Sequence, residues 1–234
     1  MLSAAFLPHF LVFIFLHAAS SLSSNAFSPG DISVMVNGMP GKMALETAIV
    51  CLDRGYNVMP FGFTGPSEKF SKISVLGKTR SIEVELVKGP GLSVIASNVL
   101  QKLKEAYPNL VVIDYTHPSA VLNNLKCYKE ENCDFVMGTT GEDAAEVKRI
   151  FDEGTNLAVI APNMAKQIVA LQASIISMAK RFPKSFKDYK LTVTESHQST
   201  KADTSGTAKV LFLSLFHTIS MSSIYYSYRR LSLN

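Results

Sequence analysis

The chain has 234 residues, 47% of them hydrophobic and only 18% charged, with a formal net charge of +4 and a mean hydropathy of +0.17. That much apolar surface excludes a disordered chain, and the length suits one or two domains with a substantial core. All 19 acids and all but two of the 23 bases, Arg229 and Arg230, lie between Asp31 and Lys209, so the middle carries no concentrated basic face and no nucleic-acid partner is expected.

Residues 1–30 are uncharged. A short apolar run, Leu11–Leu16, is followed by a Ser/Ala-rich stretch reaching Pro29, which is expected to be a removable targeting peptide outside the fold. It resembles a secretory signal that lacks a positive leading segment, while the absence of acids and the Ser-rich Ala19–Ser28 suit an organelle transit peptide. Pro8 and His9 interrupt the run, which is too short for a membrane span. Cys51, Cys127 and Cys133 form an odd set with no CxxC and no His at metal-ligand spacing. Free thiols in a reducing compartment and no metal site are expected.

Asp31–Asn37, an apolar run stopping at Gly38, predicts a buried strand. A turn, Gly38-Met-Pro-Gly41-Lys-Met-Ala44, leads into a predicted helix at Leu45–Arg54 with Gly55 as its stop. Tyr56–Phe63 predicts the next strand, completing a βαβ unit and implying a parallel sheet. Ile73–Lys88 predicts a strand pair with Gly89-Pro-Gly91 as its turn, Leu92–Ala106 a helix and Leu110–Tyr115 a buried strand. Helix Pro118–Glu131, strand Asp134–Gly138, helix Gly141–Glu153 and strand Asn156–Ala161 follow, then helix Asn163–Lys180 and strand Tyr189–Glu195. This alternation predicts an α/β fold. A doubly wound domain is expected over 31–163, further helix and strand over 164–209, and a hydrophobic tail over 210–234.

Ligands of such sheets lie beyond the carboxyl ends of the strands. Gly38-x-x-Gly41-x-x-Ala44 bares backbone where a pyrophosphate approaches and opens a helix whose N–H groups favour anions, although Ala44 replaces the last Gly of the usual spacing. Met137-Gly-Thr-Thr-Gly141 and Ala161-Pro-Asn-Met164 close two further strands with small polar residues. Three such loops predict a dinucleotide crevice. An NAD site usually ends its second strand with an acid for the ribose 2′-OH. Here the strand ends Phe61-Gly-Phe-Thr-Gly65 with no acid before Glu68, and Thr64, Ser67 and Lys69 are placed to receive a 2′-phosphate, so NADPH is favoured over NADH.

Glu195–Thr207 is the densest run of reactive side chains. His197 exchanges a proton near neutral pH, Lys201 four residues on can hold a carboxylate or supply a proton, and Ser205-Gly206-Thr207 offers hydroxyls and a bare N–H at an expected helix start. A proton donor flanked by anion sites suits a small dicarboxylate receiving a hydride. The plainer alternative leaves His197 and Lys201 on a solvated loop.

Val36-Asn-Gly-Met-Pro-Gly-Lys-Met43, Val112-Ile-Asp-Tyr-Thr-His-Pro118, Met137–Gly141, Ala161–Met164 and Glu195–Thr207 resemble, in kind and order, the signature of the 4-hydroxy-tetrahydrodipicolinate (dihydrodipicolinate) reductases of lysine biosynthesis, nearest the plant type. The resemblance implies a Rossmann-like, doubly wound NAD(P)H-binding domain over 31–163 and, over 164–209, an incomplete second α/β domain of the kind that holds substrate and forms a homotetramer. It implies His197 as acid/base, Lys201 as second catalytic residue, and Gly206 and Thr207 on a substrate carboxylate. Gln198 stands where many bacterial members carry a substrate-contacting His. Cofactor contacts are implied at Gly38, Met39, Pro40, Gly41, Lys42, Met43, Gly138, Thr139, Thr140, Ala161, Pro162, Asn163 and Met164. The implied reaction is hydride transfer to a cyclic unsaturated dicarboxylate with loss of water.

The plant resemblance implies a plastid, with secretion the lesser alternative. After Lys209 the resemblance stops: Val210–Tyr228 is uncharged and Ser-rich, which is a poor hydrocarbon span and suits a divergent end. A relative that lacks part of the tetramer-forming domain and binds dinucleotide without turnover is the alternative function.

Overall fold

The computed structural model describes residues 28–91, 93–139, 144–152, 155–161, 163–185, 189–198 and 223–231, and the chain divides into two compact units, Met1–Ala161 and Pro162–Asn234. In the first unit, a 3₁₀ turn at Pro29–Asp31 precedes strand β1 (Ser33–Asn37), which is buried at all five positions. Helix α1 (Lys42–Asp53), β2 (Asn57–Val58), β3 (Phe61–Thr64), β4 (Lys72–Leu76) and β5 (Ser81–Lys88) follow, then α2 (Val94–Ala106) and β6 (Leu110–Asp114). A 3₁₀ turn at Pro118–Ala120 leads into α3 (Val121–Glu130), and β7 (Asp134–Met137), α4 (Ala144–Asp152) and β8 (Ala158–Ile160) complete the unit.

A strand buried on both faces belongs at the centre of a parallel sheet, and β1 lies inside the order β2-β1-β6-β7-β8, whose pairings are all parallel. Its side chains alternate. Met35 packs with Leu100, Leu110, Leu125, Tyr128 and Phe135 on the side of α2 and α3. Val34 and Val36 pack with Ala44, Ala48, Leu52 and Val84 on the side of α1. Helices on both faces of a parallel sheet make the Rossmann-like, doubly wound architecture expected. The three cysteines are free and buried within these two clusters. Burial pushes the Cys127 thiol up to about 11 and the Cys133 thiol to about 12.

The strand expected at Tyr56–Phe63 is two. β2 pairs with β1, whereas β3 joins a second sheet of order β3-β5-β4, parallel to β5, with β4 antiparallel to β5. Pro60 stands at the break and has no N–H to continue the ladder. The chain still hugs β1 on either side of it: Met59 N donates to Val34 O at 2.8 Å, and Gly38 N donates to Phe63 O at 2.8 Å. Gly62 permits this, because a Cβ there would lie 2.5 Å from Val36 O.

The second unit holds α5 (Lys166–Arg181), β9 (Lys190–Gln198) and β10 (Ser223–Leu231). The helix expected from Asn163 begins at Lys166, since Asn163 Oδ1 accepts from Ala165 N at 2.8 Å in a turn that precedes it. β9 runs past Glu195, where the strand was expected to end, and carries His197 and Gln198. β10 pairs parallel with it from Ser223↔Lys190 to Leu231↔Gln198. Part of the segment 210–234, expected to be a divergent hydrophobic tail, is strand. Among the described residues, no helix is long and apolar enough to cross a membrane.

Gly62→Ala is expected to lower unfolding free energy by about 1–3 kcal/mol through overpacking. Gly65→Ala, with nothing within 4 Å of its Cβ position, is expected to stay within about 0.5 kcal/mol of the parent. Chemical denaturation of both checks this. Equal midpoints would show that β3 does not press on β1.

Candidate functional site

β1 and β6 pair in register so that their last residues, Asn37 and Asp114, lie side by side. Both are fully buried, and a buried carboxylate is tolerated only when donors surround it. Asp114 has four. Oδ1 accepts from Thr116 N and Thr116 Oγ1, each at 2.7 Å, and Oδ2 accepts from Asn124 Nδ2 at 2.9 Å and Tyr128 Oη at 2.5 Å. Asn124 and Tyr128 are four residues apart on α3 and so share a face. Asn37 Nδ2 donates to Tyr128 Oη at 2.8 Å, and Asn37 Oδ1 accepts from Phe63 N at 2.7 Å. One connected set of bonds thus fixes the carboxyl ends of β1, β3 and β6 and the face of α3. Burial, then the Asp114 charge, push the Tyr128 phenol well above the ordinary tyrosine range.

Over this floor opens a cleft of about 460 Å³. Its walls are Gly38–Gly41 after β1, Thr64–Glu68 at and beyond the end of β3, Gly89 and Pro90 after β5, and Tyr115–His117 with Ser119, Ala120, Asn123 and Asn124 after β6. Gly38 has φ +99°, and a Cβ there would lie 2.5 Å from Tyr115 O, so only glycine lets the two loops meet. Gly41 N donates to Gly38 O at 2.9 Å, and α1 then starts without a side-chain cap, leaving its first N–H groups to a ligand or water. Both N–H groups of Asn124 are spent, on Asp114 Oδ2 and on Thr116 Oγ1 at 3.0 Å, while its buried Oδ1 has no partner among the described residues. That oxygen would lie 3.5 Å from a Cβ on the cleft residue Gly89.

Of the residues expected to touch a cofactor, Gly38, Met39, Pro40 and Gly41 line the cleft. Lys42 and Met43 occupy the exposed first turn of α1 and are not among its lining. Gly138 and Thr139 support the wall from behind. Gly138 N donates to Asp114 O at 2.9 Å, its bare Cα faces the Tyr115 ring, and Thr139 Oγ1 donates to Thr116 O at 2.7 Å. Ala161 follows β8, with its N–H on Met137 O at 3.1 Å. Asn163 and Met164 precede α5 in the second unit. Thr140, Pro162, Lys201, Gly206 and Thr207 lie outside the described residues. His197 and Gln198 stand on β9 opposite Arg230 and Leu231, on strand and not on the loop of the plainer reading.

Thr64 does not fit its expected role as a phosphate ligand, because it is buried and its hydroxyl donates to Met39 O at 2.9 Å. Ser67 lines the cleft, and Lys69 is exposed outside its lining. Sequence reasoning passed over Asn37, Asp114, Asn124 and Tyr128. The available signal was an acid ending the otherwise apolar run Leu110–Asp114, which needs partners wherever it is buried.

Tyr128→Phe removes one donor to Asp114 and one acceptor from Asn37, and is expected to cost about 1–3 kcal/mol at neutral pH. An unfolded tyrosine ionises near pH 10 while Tyr128 in the fold stays protonated. Its contribution to stability is therefore complete below pH 10 and falls above it by about 1.4 kcal/mol per pH unit. Denaturation from pH 7 to 11 should give the parent a steeper alkaline decline than Tyr128→Phe. Identical slopes would contradict the buried network.

Residues 32–164 match the family described as "Dihydrodipicolinate reductase, N-terminus". The chain is 40% identical over 201 residues to 4-hydroxy-tetrahydrodipicolinate reductase 2, chloroplastic, of Arabidopsis thaliana, covering 86% of this chain and 55% of that protein. It is 40% identical over 195 residues to reductase 1, chloroplastic, of the same plant, covering 83% and 54%. The chain thus spans about half the length of these curated relatives. The dipicolinate-bound dihydrodipicolinate reductase from Paenisporosarcina sp. TG-14 shares its fold, with a TM-score of 0.51 at 18% identity over 86% of this chain and 79% of that one.

Proposed function

This chain belongs to the dihydrodipicolinate reductase family, and from that premise we propose that it reduces 4-hydroxy-tetrahydrodipicolinate with a nicotinamide dinucleotide, in lysine and diaminopimelate biosynthesis. The observation that carries the reading is that the family match over residues 32–164 falls on the unit that holds the cleft. The residues present fit a dinucleotide. Gly38 and Gly41 bare the backbone where a pyrophosphate would lie, the uncapped start of α1 favours an anion, and Asn124 Oδ1 is a buried acceptor in need of a donor. When bound, the nicotinamide supplies the hydride. Gly138, Thr139, Thr140, Ala161, Pro162, Asn163 and Met164 complete its surroundings in this reading.

The chain's own part is orientation and proton handling. His197 holds and releases a proton, Lys201 neutralises developing negative charge or supplies the proton itself, and Gln198, Gly206 and Thr207 bind and orient the dicarboxylate. NADPH is the preferred dinucleotide in this reading. The supporting feature is that Glu68, the acid among the lining residues, has Oε1 engaged by Lys69 N at 2.8 Å and Phe70 N at 2.9 Å. Similarity over 86% of the chain, more than the nucleotide-binding unit, favours the reductase over a dinucleotide-binding relative without turnover. The same reading assigns residues 1–30 to plastid targeting, in keeping with the chloroplastic relatives, and takes the homotetramer, to which residues 164–209 bring only part of the usual domain, from the family resemblance alone.

Loss of NADPH absorbance with freshly generated substrate tests the activity directly. His197→Ala and Lys201→Ala are each expected to lower kcat by about 10²–10⁴-fold while the NADPH Kd stays within about twofold of the parent. Undiminished kcat in either variant would remove that residue from the mechanism. A parent chain that binds NADPH and turns over nothing would favour the dinucleotide-only alternative.

A further inference from the structure

Lys88 is the last residue of β5 and pairs in register with Thr64, the last of β3, so it stands beside the point where the chain leaves β3 to form one cleft wall. Its ammonium reaches across. Nζ donates to Gly65 O at 3.0 Å and to Glu68 O at 2.6 Å, the two ends of a turn that Glu68 N closes on Gly65 O at 3.3 Å. Gly65, Pro66, Ser67 and Glu68 all line the cleft. Both partners of Nζ are neutral carbonyls, and among the described residues no carboxylate lies within ion-pair distance of it. An ammonium has three donors, so one remains. A half-buried cation without a counter-ion favours an anion nearby. Glu68, which lines the cleft, has Oε1 occupied by Lys69 N at 2.8 Å and Phe70 N at 2.9 Å and makes no ion pair with Nζ.

We infer that Lys88 is a positioning and specificity-determining residue. It fixes the turn Gly65–Glu68 as the wall against which the adenosine ribose lies, and it sets an uncompensated positive charge behind that wall, selecting a dinucleotide with a 2′-phosphate over one with a free 2′-hydroxyl. This rests on the dinucleotide reading of the cleft. A purely structural clamp would serve both dinucleotides equally, whereas a charge beneath the ribose serves only the phosphorylated one.

The test is fluorescence titration of the full chain with NADPH and with NADH, at low and high KCl. Lys88→Met is expected to raise the NADPH Kd about tenfold and the NADH Kd by less than about twofold, with Lys88→Arg recovering NADPH binding to within about threefold. In the parent, NADPH binding is expected to weaken more steeply with KCl than NADH binding, because the extra phosphate meets a screened charge. Should Lys88→Met fail to fold, Lys88→Gln, which keeps an N–H donor for Gly65 O and Glu68 O without the charge, is expected to show the same selective loss of NADPH. Equal losses of both dinucleotides, or parallel salt dependences in the parent, would overturn the selection role and leave Lys88 a clamp. A parent that binds neither dinucleotide would overturn the reading of the cleft itself, and this inference with it.

Discussion

Asp114 is a carboxylate with no exposed surface, and this end of the sheet is arranged around satisfying it. Its four donors come from Thr116, two residues on, and from Asn124 and Tyr128 on one face of α3. They oblige the chain after β6 to turn back at once and oblige α3 to present that face. Tyr128 passes the constraint to Asn37, and Asn37 passes it to the backbone of β3 at Phe63. Leaving one such buried group unpaired costs about 1–3 kcal/mol, a large share of the roughly 5–15 kcal/mol that holds a domain folded. The bonds that make Asp114 tolerable therefore also set where three strands end and how the cleft above them is shaped.

What is missing from the cleft matters as much as what lines it. At Gly38 and Gly62 the backbones of β1, β3 and the β6 loop approach to distances that a single Cβ would forbid. The result is a concave site with Gly38, Gly41, Gly65 and Gly89 in its walls and a few polar groups beside them: the start of α1, Asn124 Oδ1, and Lys88 behind the β3 turn. Such a surface suits a long, charged, flexible ligand, because little needs to be reordered when it binds. His197, which the proposed function gives the proton, and Gln198, which it gives to the dicarboxylate, stand on β9 in the other compact unit.

Much of the first unit was legible from hydropathy periods and turn residues. Val34-Met-Val36 and Val111-Val-Ile113 can hardly be anything but buried strands, and Gly38 and Gly41 mark a turn whatever they bind. The break at Pro60 was in plain view, but nothing local said that β2 and β3 would serve different sheets. The floor of the cleft was hidden for a related reason. The bond from Asn37 to Tyr128 spans 91 residues, and that from Lys88 to Glu68 spans 20. Both depend on strand register, which a single sequence does not display. Thr64 misled because a hydroxyl at a strand end suits an anion and suits a backbone carbonyl equally, and Met39 O took it. The extension of β9 to Gln198 and the strand at Ser223–Leu231 rest on each other, residue against residue, and neither is evident until the partner is known.

One buried network, running from Asp114 through Tyr128 and Asn37 to Phe63 N, holds three strand ends as the floor of a single cleft, which the proposed function gives to a dinucleotide. Amide hydrogen exchange of the intact chain, with and without NADPH, tests it most directly. Binding should slow exchange together in the segments after β1, β3 and β6, that is, at residues 38–41, 65–68 and 115–124. Slowing confined to one of these segments, or found only elsewhere in the chain, would contradict it.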